Sequence, residues 1–585
     1  MKVSLNTIKQ YTAVTEPVET LVARVNAQLG GVEEIIDIGA RYKGATIVRV
    51  VSCDKHPDAD KLKVCRIDDG HSVADIERDA EGYVQVVCGA PNVNAGMLVV
   101  WLPPGSTVPE TFTDKEPFVL AARKLRGVTS YGMLASPKEL GLGDSHDGIL
   151  GLDANEWKPT TIPVNPGTLF ASAYGLDDTV LGIENKMFTH RPDCFGQLGV
   201  AREIAGTAQR RFTSPAWYKV FTEFNRGEGL ELTVKNQAYG AVPRFMAVAI
   251  QGVTIGPSPI WLQTELVRLG AKPINNVVDV TNYVMLLTGQ PIHAYDYDKL
   301  SGHSLIARTA HADETVTLLN GKTYQLDSAD IVIADDNGPI GLGGVMGGQT
   351  SEVDDATTNI VIECASFDMY SVRRTSMRHG VFTDAVTRFS KGQSSLQTPA
   401  VLGLTLAAIS DTAGGSQASP VYDQHEGLPA ITVVDVTPKF INDRLGLDLT
   451  HLEIAALLGN VEFVVGGSET LHVTVPFWRT DIERPEDIVE EIGRLYGFDK
   501  LPRVLPRRSV RPAPRNPLLD MKQALRSSLA TAGANEVLTY SFVHERTLTR
   551  ANQAPAAAFR LSNALSPDLQ YYRLSVLPSL LERVR

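Results

Sequence analysis

The chain has 585 residues, 43% hydrophobic and 21% charged, a composition ordinary for a globular protein of about three to five domains. Its formal net charge of −12 argues against binding nucleic acid over the whole surface, so any such contact is expected to be local. The sequence contains neither a run of 18 apolar residues nor a signal-peptide pattern, which argues against a membrane span and against secretion.

The five cysteines are odd in number and scattered, and none forms a CxxC pair. This pattern argues against a disulfide framework or a zinc knuckle. Buried free thiols are the better interpretation, and we therefore expect a cytoplasmic location.

The N-terminal region predicts a helical segment followed by a β-rich domain. Residues 1–38 contain a predicted helix from Pro17 to Leu29, closed by Gly30 and Gly31. Residues 39–152 contain four β-branched runs, GATIVRVVSC, KLKVCRID, YVQVVCGA and GMLVVWLPPG. Because Gly, Asn and Pro punctuate these runs, they predict short strands that form a small barrel.

The charge of this region only partly favours a nucleic-acid contact. Residues 39–150 hold 13 Lys and Arg against 15 Asp and Glu, whereas phosphate contact normally requires a positive excess. The basic residues do cluster, and the candidates are Lys61, Lys63, Arg123, Lys124 and Arg126. They are either solvated surface charges or a weak, shape-guided contact with nucleic acid.

Residues 153–210 are expected to return the chain from the barrel to the body of the protein. There RPDC is followed by GQLGVAREIAG, which predicts a turn and then a helix ended by Gly206. The motif is either a structural joint or part of a functional site. Residues 211–230 are polar and aromatic with Gly, as in a linker.

The densest stretch runs from Lys272 to Leu300 within a predicted α/β module of residues 231–420. Its run Val277–Val280 is readable as a strand or as a buried helical turn. Polar side chains surround it, at Thr281, Asn282 and His293. Buried polar groups cost about 1–3 kcal/mol each unless they are paired, so this mixture favours a ligand pocket over simple packing.

The rest of the module predicts strands and a glycine-rich loop. The strands are LIART, TVTLL, DIVIAD, PIGLGGVMGG and NIVIECASFD, the last of which carries Glu363. The loop from Gly341 to Gly348 allows close backbone approach to a ligand or a tight turn. It is not a phosphate loop, because no GK[ST] follows it.

Residues 431–505 predict helices and a short hairpin. Thr437 caps a helix that begins at Pro438 and ends before Gly446, and Thr450 with Glu453 forms a capping box for the next helix.

The end of this unit concentrates acidic residues on one predicted helix, which Pro485 opens and Gly497 closes. The acids are Asp481 in the preceding loop and Asp487, Glu490 and Glu491 on the helix. Converging carboxylates repel unless a cation or Arg neutralises them, and such hard oxygen ligands suit Mg²⁺. The alternative is an acidic first turn favoured by the helix dipole, with a Glu490–Arg494 pair.

Residues 515–585 predict a helix, NPLLDMKQALRSSLATAG, followed by NEVLTYSFV and LSNALSPDLQYYRLSVLPSLLERVR. Because the last residues read as part of an amphipathic helix, we expect this domain to be truncated.

Taken together, these segments are similar to the bacterial phenylalanine–tRNA ligase beta subunit family over nearly the whole chain. NNVVDVTNYVMLLTGQPIHAYD resembles the family's central module, and RPDC with GVAREIA resembles another of its segments. A further pattern is an R-x-T-x-x-R-x-G loop with an S-x-RFEKG helix, matched here by RRTSMRHGVFTDAVTRFSKG, with Ser390 in place of the usual Glu.

The resemblance implies an α+β multidomain fold. It implies an OB-fold tRNA-binding barrel, a central editing-type module, a winged-helix-like module and the start of a class II synthetase-like domain without a working active site. It implies an α2β2 tetramer with an alpha subunit that holds the ATP and phenylalanine sites. Its partners would be that alpha subunit and tRNA(Phe).

The resemblance also implies two sites. Asp481, Asp487, Glu490 and Glu491 match a magnesium site shared with the alpha subunit. The family's editing pocket, which hydrolyses mischarged tyrosyl-tRNA(Phe), matches Thr281, Asn282, His293, Gly344 and Glu363. The alternatives are a free-standing tRNA-binding or editing protein without an alpha partner, a non-catalytic scaffold, and core polar groups at His293 and Glu363.

Overall fold

The computed structural model describes residues 1–156, 158, 160–219, 223–505 and 508–584. The chain divides into two compact units, Met1–Pro502 and Arg503–Arg585. Both units mix helices with mainly antiparallel strands, and the fold is therefore an α+β fold, as the sequence predicts.

The first part of the larger unit contains two sheets. Its elements are β1 (Lys2–Ser4), α1 (Leu5–Tyr11), α2 (Val18–Gln28), β2 (Val32–Asp37), α3 (Ile38–Arg41), β3 (Thr46–Lys55), β4 (Lys63–Asp68), β5 (Val84–Cys88), β6 (Leu98–Leu102), β7 (Arg123–Leu125), β8 (Val128–Ser130), β9 (Met133–Leu134), β10 (Gly151–Leu152), α4 (Phe170–Ala173), β11 (Thr179–Ile183), α5 (Gln197–Thr207) and α6 (Ala216–Lys219).

Strand β11 lies between β1 and β2, and this small sheet carries the chain back to its N-terminus after residue 178. The second sheet has the order β10-β6-β3-β4-β5, with β9 also paired to β6. The four predicted strands of residues 39–152 and the predicted N-terminal helix are confirmed, the helix to within one residue at each end.

The cysteines are free thiols, and four of the five are buried. Cys53 is the partly exposed one, and its Sγ lies 2.9 Å from that of Cys65 directly across the β3–β4 pair.

The central part of the larger unit contains two five-stranded sheets and the helices that pack on them. Its elements are β12 (Thr233–Asn236), β13 (Arg244–Val253), α7 (Ile260–Arg268), α8 (Asn276–Thr288), β14 (His293–Asp296), β15 (Ser304–Thr309), β16 (Thr315–Thr317), β17 (Thr323–Gln325), β18 (Ile331–Asp335), β19 (Gly338–Leu342), β20 (Met346–Gly347), β21 (Asn359–Ser366), α9 (Met369–His379), α10 (Asp384–Phe389), α11 (Thr398–Ala413), β22 (Gly414–Gln417) and β23 (Tyr422–Gln424).

One of these sheets has the order β12-β15-β18-β19-β20 and the other β14-β21-β13-β22, with β23 on β13. Helix α8 resolves the ambiguous Val277–Val280 run as helical. The Asn275 side chain accepts hydrogen bonds from two backbone amides at its start, and Gly289 ends it in the left-handed conformation with φ 78°. The helix thus delivers the chain directly to β14.

The expectation of a loop at the R-x-T-x-x-R-x-G pattern is wrong, because this segment is helix α9. The Asp368 side chain accepts a hydrogen bond from the Ser371 amide, and Gly380 ends the helix with φ 65°. Val372, Thr375 and Ser376 form its buried face. Caps at both ends and one buried stripe are sufficient to fix a helix in a sequence that is rich in exposed arginines.

The last part of the larger unit is a three-stranded sheet with three helices. Its elements are β24 (Val433–Val436), α12 (Pro438–Leu445), α13 (His451–Asn460), β25 (Val464–Gly466), β26 (Leu471–Thr474) and α14 (Pro485–Tyr496). Strand β26 is central in this sheet. The predicted cap at Thr437, the Thr450–Glu453 capping box and the bounds of α14 are confirmed.

The smaller unit begins with the predicted helix. Its elements are α15 (Pro517–Thr531), β27 (Phe542–Val543), α16 (Glu545–Arg550), β28 (Tyr571–Tyr572) and α17 (Leu577–Leu581). Across all the described residues, the helices are too short or too polar to cross a membrane.

Candidate functional site

The candidate pocket lies where β14 and β21 meet the glycine-rich loop between β19 and β20. His293 and Glu363 are register partners on these two antiparallel strands, and Tyr295 follows two residues after His293. Residues that are opposite each other or two apart share one face of a sheet. All three side chains therefore face the same cavity, of about 70 Å³, which is large enough to admit water.

Glu363 is the acidic group of this pocket. Its Oε2 accepts a hydrogen bond from the Tyr295 hydroxyl at 2.5 Å. Burial raises the pKa of Glu363 to about 7, although the Tyr295 hydrogen bond favours the carboxylate. The residue therefore changes between an acceptor and a potential donor near neutral pH.

His293 is a neutral imidazole in this setting, because burial lowers its pKa to about 4. Its ring packs edge-on against Tyr295, with the ring centroids 4.5 Å apart. On the other side, a Cβ at Gly347 would lie only 2.4 Å from its Nε2. The backbone of β20 at Gly347 thus lies directly against the ring.

Gly344 also lines the cavity, and two features require glycine there. Its φ is 70°, and a Cβ would lie 2.9 Å from the Val372 side chain and 3.0 Å from that of Phe367. The conformation and the close packing together hold the loop against the sheet and α9.

Thr281 and Asn282 lie on α8 and are not among the residues that line this cavity. The Thr281 hydroxyl donates to the Val278 carbonyl oxygen within the helix at 2.7 Å. The structure thus brings together His293, Gly344 and Glu363, but gives the other two no contact with them among the described hydrogen bonds.

The predicted metal ligands lie in a second cluster, where arginines neutralise two of the acids. Arg479 donates to both carboxylate oxygens of Asp481 at 2.8 Å and to Glu491 at 2.9 Å. Arg494 donates to the other oxygen of Glu491 at 2.8 Å. Burial alone would raise the pKa of Glu491, but the charges of Arg479, Arg494 and Arg191 outweigh it and hold that pKa well below its ordinary value.

The other two acids differ from this pair. Asp487 accepts hydrogen bonds from the Glu483 and Arg484 amides and so serves as a helix cap. Glu490 has no ion pair among the described residues, and burial, together with the neighbouring Glu491 charge, raises its pKa. The alternative pair Glu490–Arg494 is not formed, because Arg494 is bound to Glu491 and Glu203.

This donor set fits a divalent cation at Glu490, which forms no ion pair with the arginines among the described residues. Asp481 and Glu491 retain lone pairs although arginines already balance their charge. The magnesium site therefore remains a prediction.

The RPDC motif belongs to the same cluster, which the sequence reading missed. Arg191 binds Asp193 at 3.0 Å and Glu203 at 2.5 Å, and its guanidinium lies 3.6 Å from Glu491. Glu203 in turn contacts Arg494 at 2.5 Å. The ion pairs thus join α5 to α14. The sequence did contain a signal for this cluster, because Arg202 and Glu203 stand in the otherwise apolar run of α5. Both side chains are buried in the structure.

The predicted basic residues lie on two neighbouring loops of the N-terminal sheet region. Arg123, Lys124 and Arg126 are exposed on the β7–β8 hairpin. The hairpin is fixed to the 56–62 loop, which carries Lys61, by a contact of 3.1 Å between His56 Nε2 and the Leu125 carbonyl oxygen. Arg126 also donates to the Asp58 carbonyl oxygen at 3.1 Å.

Lys63 points elsewhere and donates to the Val93 carbonyl oxygen at 2.7 Å. Four of the five candidates are thus brought together.

Four known domain families match consecutive parts of the chain. They are the "Putative tRNA binding domain" over residues 46–159, the "B3/4 domain" over 241–414, the "tRNA synthetase B5 domain" over 434–498 and the "Phenylalanyl tRNA synthetase beta chain CLM domain" over 501–585. Domains of this kind in this order define a subunit of an aminoacyl-tRNA synthetase.

Curated relatives make the assignment more specific. The phenylalanine–tRNA ligase beta subunit of Desulfotalea psychrophila is 34% identical over 100% of this chain and 69% of its own length. That of Moorella thermoacetica is 35% identical over 100% of this chain and 70% of its own length. The chain therefore belongs to the phenylalanine–tRNA ligase beta subunit family.

A solved N-terminal fragment of the phenylalanyl-tRNA synthetase beta subunit from Pyrococcus horikoshii is more distant. It is 15% identical with a TM-score of 0.30, over 55% of this chain and 88% of the fragment.

Proposed function

We propose that this chain is the beta subunit of an α2β2 phenylalanine–tRNA ligase, which attaches phenylalanine to tRNA(Phe) in the cytoplasm with ATP. The alpha subunit would hold the ATP and phenylalanine sites. This chain would contact tRNA and hydrolyse mischarged tyrosyl-tRNA(Phe). Family membership supports this over a free-standing protein, because the relatives carry the name of a subunit.

The domain roles are part of the proposal. Residues 39–152 would be an OB-fold that binds tRNA through the joined loops carrying Lys61, Arg123, Lys124 and Arg126. Residues 231–420 would be the editing module, 431–505 a winged-helix-like module, and 515–585 part of a catalytic-like domain. Residues 1–38 and 153–210 would pack together, an arrangement that the β1-β11-β2 sheet supports.

The observation that carries the editing role is the placement of His293, Tyr295 and Glu363 on one sheet face beside a glycine-rich loop. Tyrosine differs from phenylalanine by one hydroxyl, and a hydrophobic synthetic site rejects such an isostere only about 10²-fold. A second site that recognises the phenol and hydrolyses the ester corrects these errors.

The geometry supports a role for each group. With Tyr295 bound to Oε2, ionised Glu363 can accept the phenolic hydroxyl of a tyrosyl ester on its other oxygen. Neutral His293 can accept a hydrogen bond and so orient a water or a ribose hydroxyl. Gly344 would allow the substrate to approach the backbone. Thr281 and Asn282 are retained as candidates on α8 for holding the tRNA end.

Magnesium is proposed at Glu490, Glu491, Asp481 and Asp487, where bound Mg²⁺ would supply positive charge between the subunits. The residues of this chain would hold it through carboxylate oxygens. Glu490 would contribute most, because it is the acid without an arginine partner among the described residues.

The test of the editing role is hydrolysis of tyrosyl-tRNA(Phe) by the assembled enzyme. Glu363→Ala and His293→Ala should each slow hydrolysis and leave charging with phenylalanine intact. Glu352→Ala and His311→Ala are matched controls on exposed positions of the same module. If both pocket variants clear the mischarged tRNA at the wild-type rate, the assignment is wrong.

A further inference from the structure

Helix α9 carries an exposed stripe that none of the sites described above uses. Tyr370, Arg373, Arg374 and Met377 follow the spacing i, i+3, i+4, i+7, which places them along one side of the helix. Tyr370 is 60% and Met377 66% exposed, and Phe382, just beyond the helix, is 77% exposed. We call these five residues the α9 stripe. Large side chains grouped in this way on a surface indicate an interaction site.

The α9 stripe also carries positive charge that has no acidic partner within the residues that the structure describes. Arg373 has no ion pair among the described residues, whereas Arg378 on the same helix binds Asp330 and Asp327. Burial, and after it the charge of Arg373, lowers the pKa of Lys391. The partners of Lys391 in the described part of the chain are neutral, namely the Thr189 hydroxyl at 2.8 Å and the face of the Phe195 ring.

The stripe borders the candidate editing pocket. On the inner side of α9, Val372 packs against Gly344 of the pocket. Between α9 and α10, the Thr383 hydroxyl donates to the Val345 carbonyl oxygen at 2.8 Å. Ala385 and Phe389 of α10 line the cavity. Lys391 follows two residues after Phe389. Phe382 of the stripe is thus the direct neighbour of a residue that contacts the glycine-rich loop of the pocket.

Exposed aromatic rings beside unpaired cations match one class of partner in particular. Unpaired bases of single-stranded RNA stack on aromatic side chains and Arg planes, while Lys and Arg bind the phosphates. In a chain with a net charge of −12, such a patch is a local exception. An apolar protein partner would not require an exposed arginine such as Arg373, which has no acidic partner among the described residues.

We propose that the α9 stripe, with Lys391, binds the single-stranded 3′ end of tRNA and positions the aminoacyl ester over the cavity. This inference rests on the proposed editing function and adds to it the surface that guides the substrate. It is separate from the tRNA contact of the N-terminal domain, which would bind another part of the molecule.

The test compares the binding of two RNAs to the full chain, deacylated tRNA(Phe) and the same tRNA without its last four nucleotides. Wild type should bind the intact tRNA about tenfold more tightly, since stacking of one base on an aromatic side chain is worth roughly that much. Arg373→Glu should abolish this difference, and Phe382→Ala should reduce it. Arg373→Glu should not unfold the protein, because Arg373 is exposed on α9 and lies outside its buried face.

Lys235→Glu, on the exposed surface of β12, makes the same charge change elsewhere and should leave the difference intact. If wild type does not distinguish the two RNAs, or if Arg373→Glu still does, the proposal is overturned. Glu363→Ala separates it from the editing role. That variant should lose hydrolysis but keep the preference for intact tRNA, and a wild type that keeps the preference without hydrolysing would refute the editing role alone.

Discussion

The stability of the protein should respond very differently when each of the adjacent acids Glu490 and Glu491 is replaced by Gln. The Glu491 carboxylate is fully buried and accepts hydrogen bonds from Arg479 and Arg494 at 2.9 and 2.8 Å. Removing one partner of a buried ion pair costs about 3–5 kcal/mol, since the other charges stay buried without compensation. Glu490→Gln removes a repulsive charge and should change stability by less than about 0.5 kcal/mol.

Hydrogen exchange of the α14 amides measures this difference locally, which suits a chain of several domains. Glu491→Gln should speed exchange in α14 by about 10²- to 4 × 10³-fold, as 1.4 kcal/mol corresponds to a factor of ten. Exchange in α11 serves as an internal control. Equal exchange in the two variants, or protection unchanged in Glu491→Gln, would refute the ion-pair reasoning.

The pH dependence of α14 provides a second check. Because the folded pKa of Glu491 is lowered, its contribution is present above its unfolded pKa of about 4.3 and is lost as the pH falls through the folded value. The folded pKa of Glu490 is raised, so its ionisation has the opposite effect on stability. It destabilises the folded state increasingly as the pH rises from about 4.3 towards the folded pKa. Mg²⁺ should slow α14 exchange in wild type more than in Glu490→Gln if the proposed metal site is present.

Two further changes test the pocket. Tyr295→Phe removes a hydrogen bond that favours the Glu363 carboxylate, so the acid limb of the pH–rate profile for tyrosyl-tRNA hydrolysis should move to higher pH; superimposable profiles would count against this coupling. Gly347→Ala places a Cβ only 2.4 Å from His293 Nε2 and should therefore displace the imidazole. Hydrolysis should slow by about 10- to 100-fold, while the circular dichroism spectrum should not change. Gly256→Ala, which opens onto free space, should hydrolyse at the wild-type rate.

Local signals in the sequence were sufficient for much of the fold. The Thr450–Glu453 box and Pro485 gave helix bounds correctly because caps act within one turn. Helix α9 was missed because its polar and charged residues outnumber its apolar residues, and only three buried side chains define its inner face. Segments of this kind become helical through capping and tertiary packing rather than through an evident apolar period.

The sequence likewise predicted some residues of the two candidate sites and missed others. The resemblance supplied His293, Gly344 and Glu363, but only the strand register shows that the first and last are direct neighbours. Tyr295 was missed because its role depends on that register. The ion pairs from Arg191 to Glu491 join segments far apart in the chain, and no local pattern encodes such a contact.

The most direct test of the pocket is the ratio of the hydrolysis rates of tyrosyl-tRNA(Phe) and phenylalanyl-tRNA(Phe) by the assembled enzyme, in wild type and in Glu363→Gln. If Glu363 is the acceptor of the phenolic hydroxyl, wild type should prefer the tyrosyl ester and Glu363→Gln should lose most of that preference. The variant should keep any slow hydrolysis of the phenylalanyl ester, because the cavity and His293 are unchanged. An unchanged preference in Glu363→Gln would contradict the assignment of this pocket as the site that recognises tyrosine.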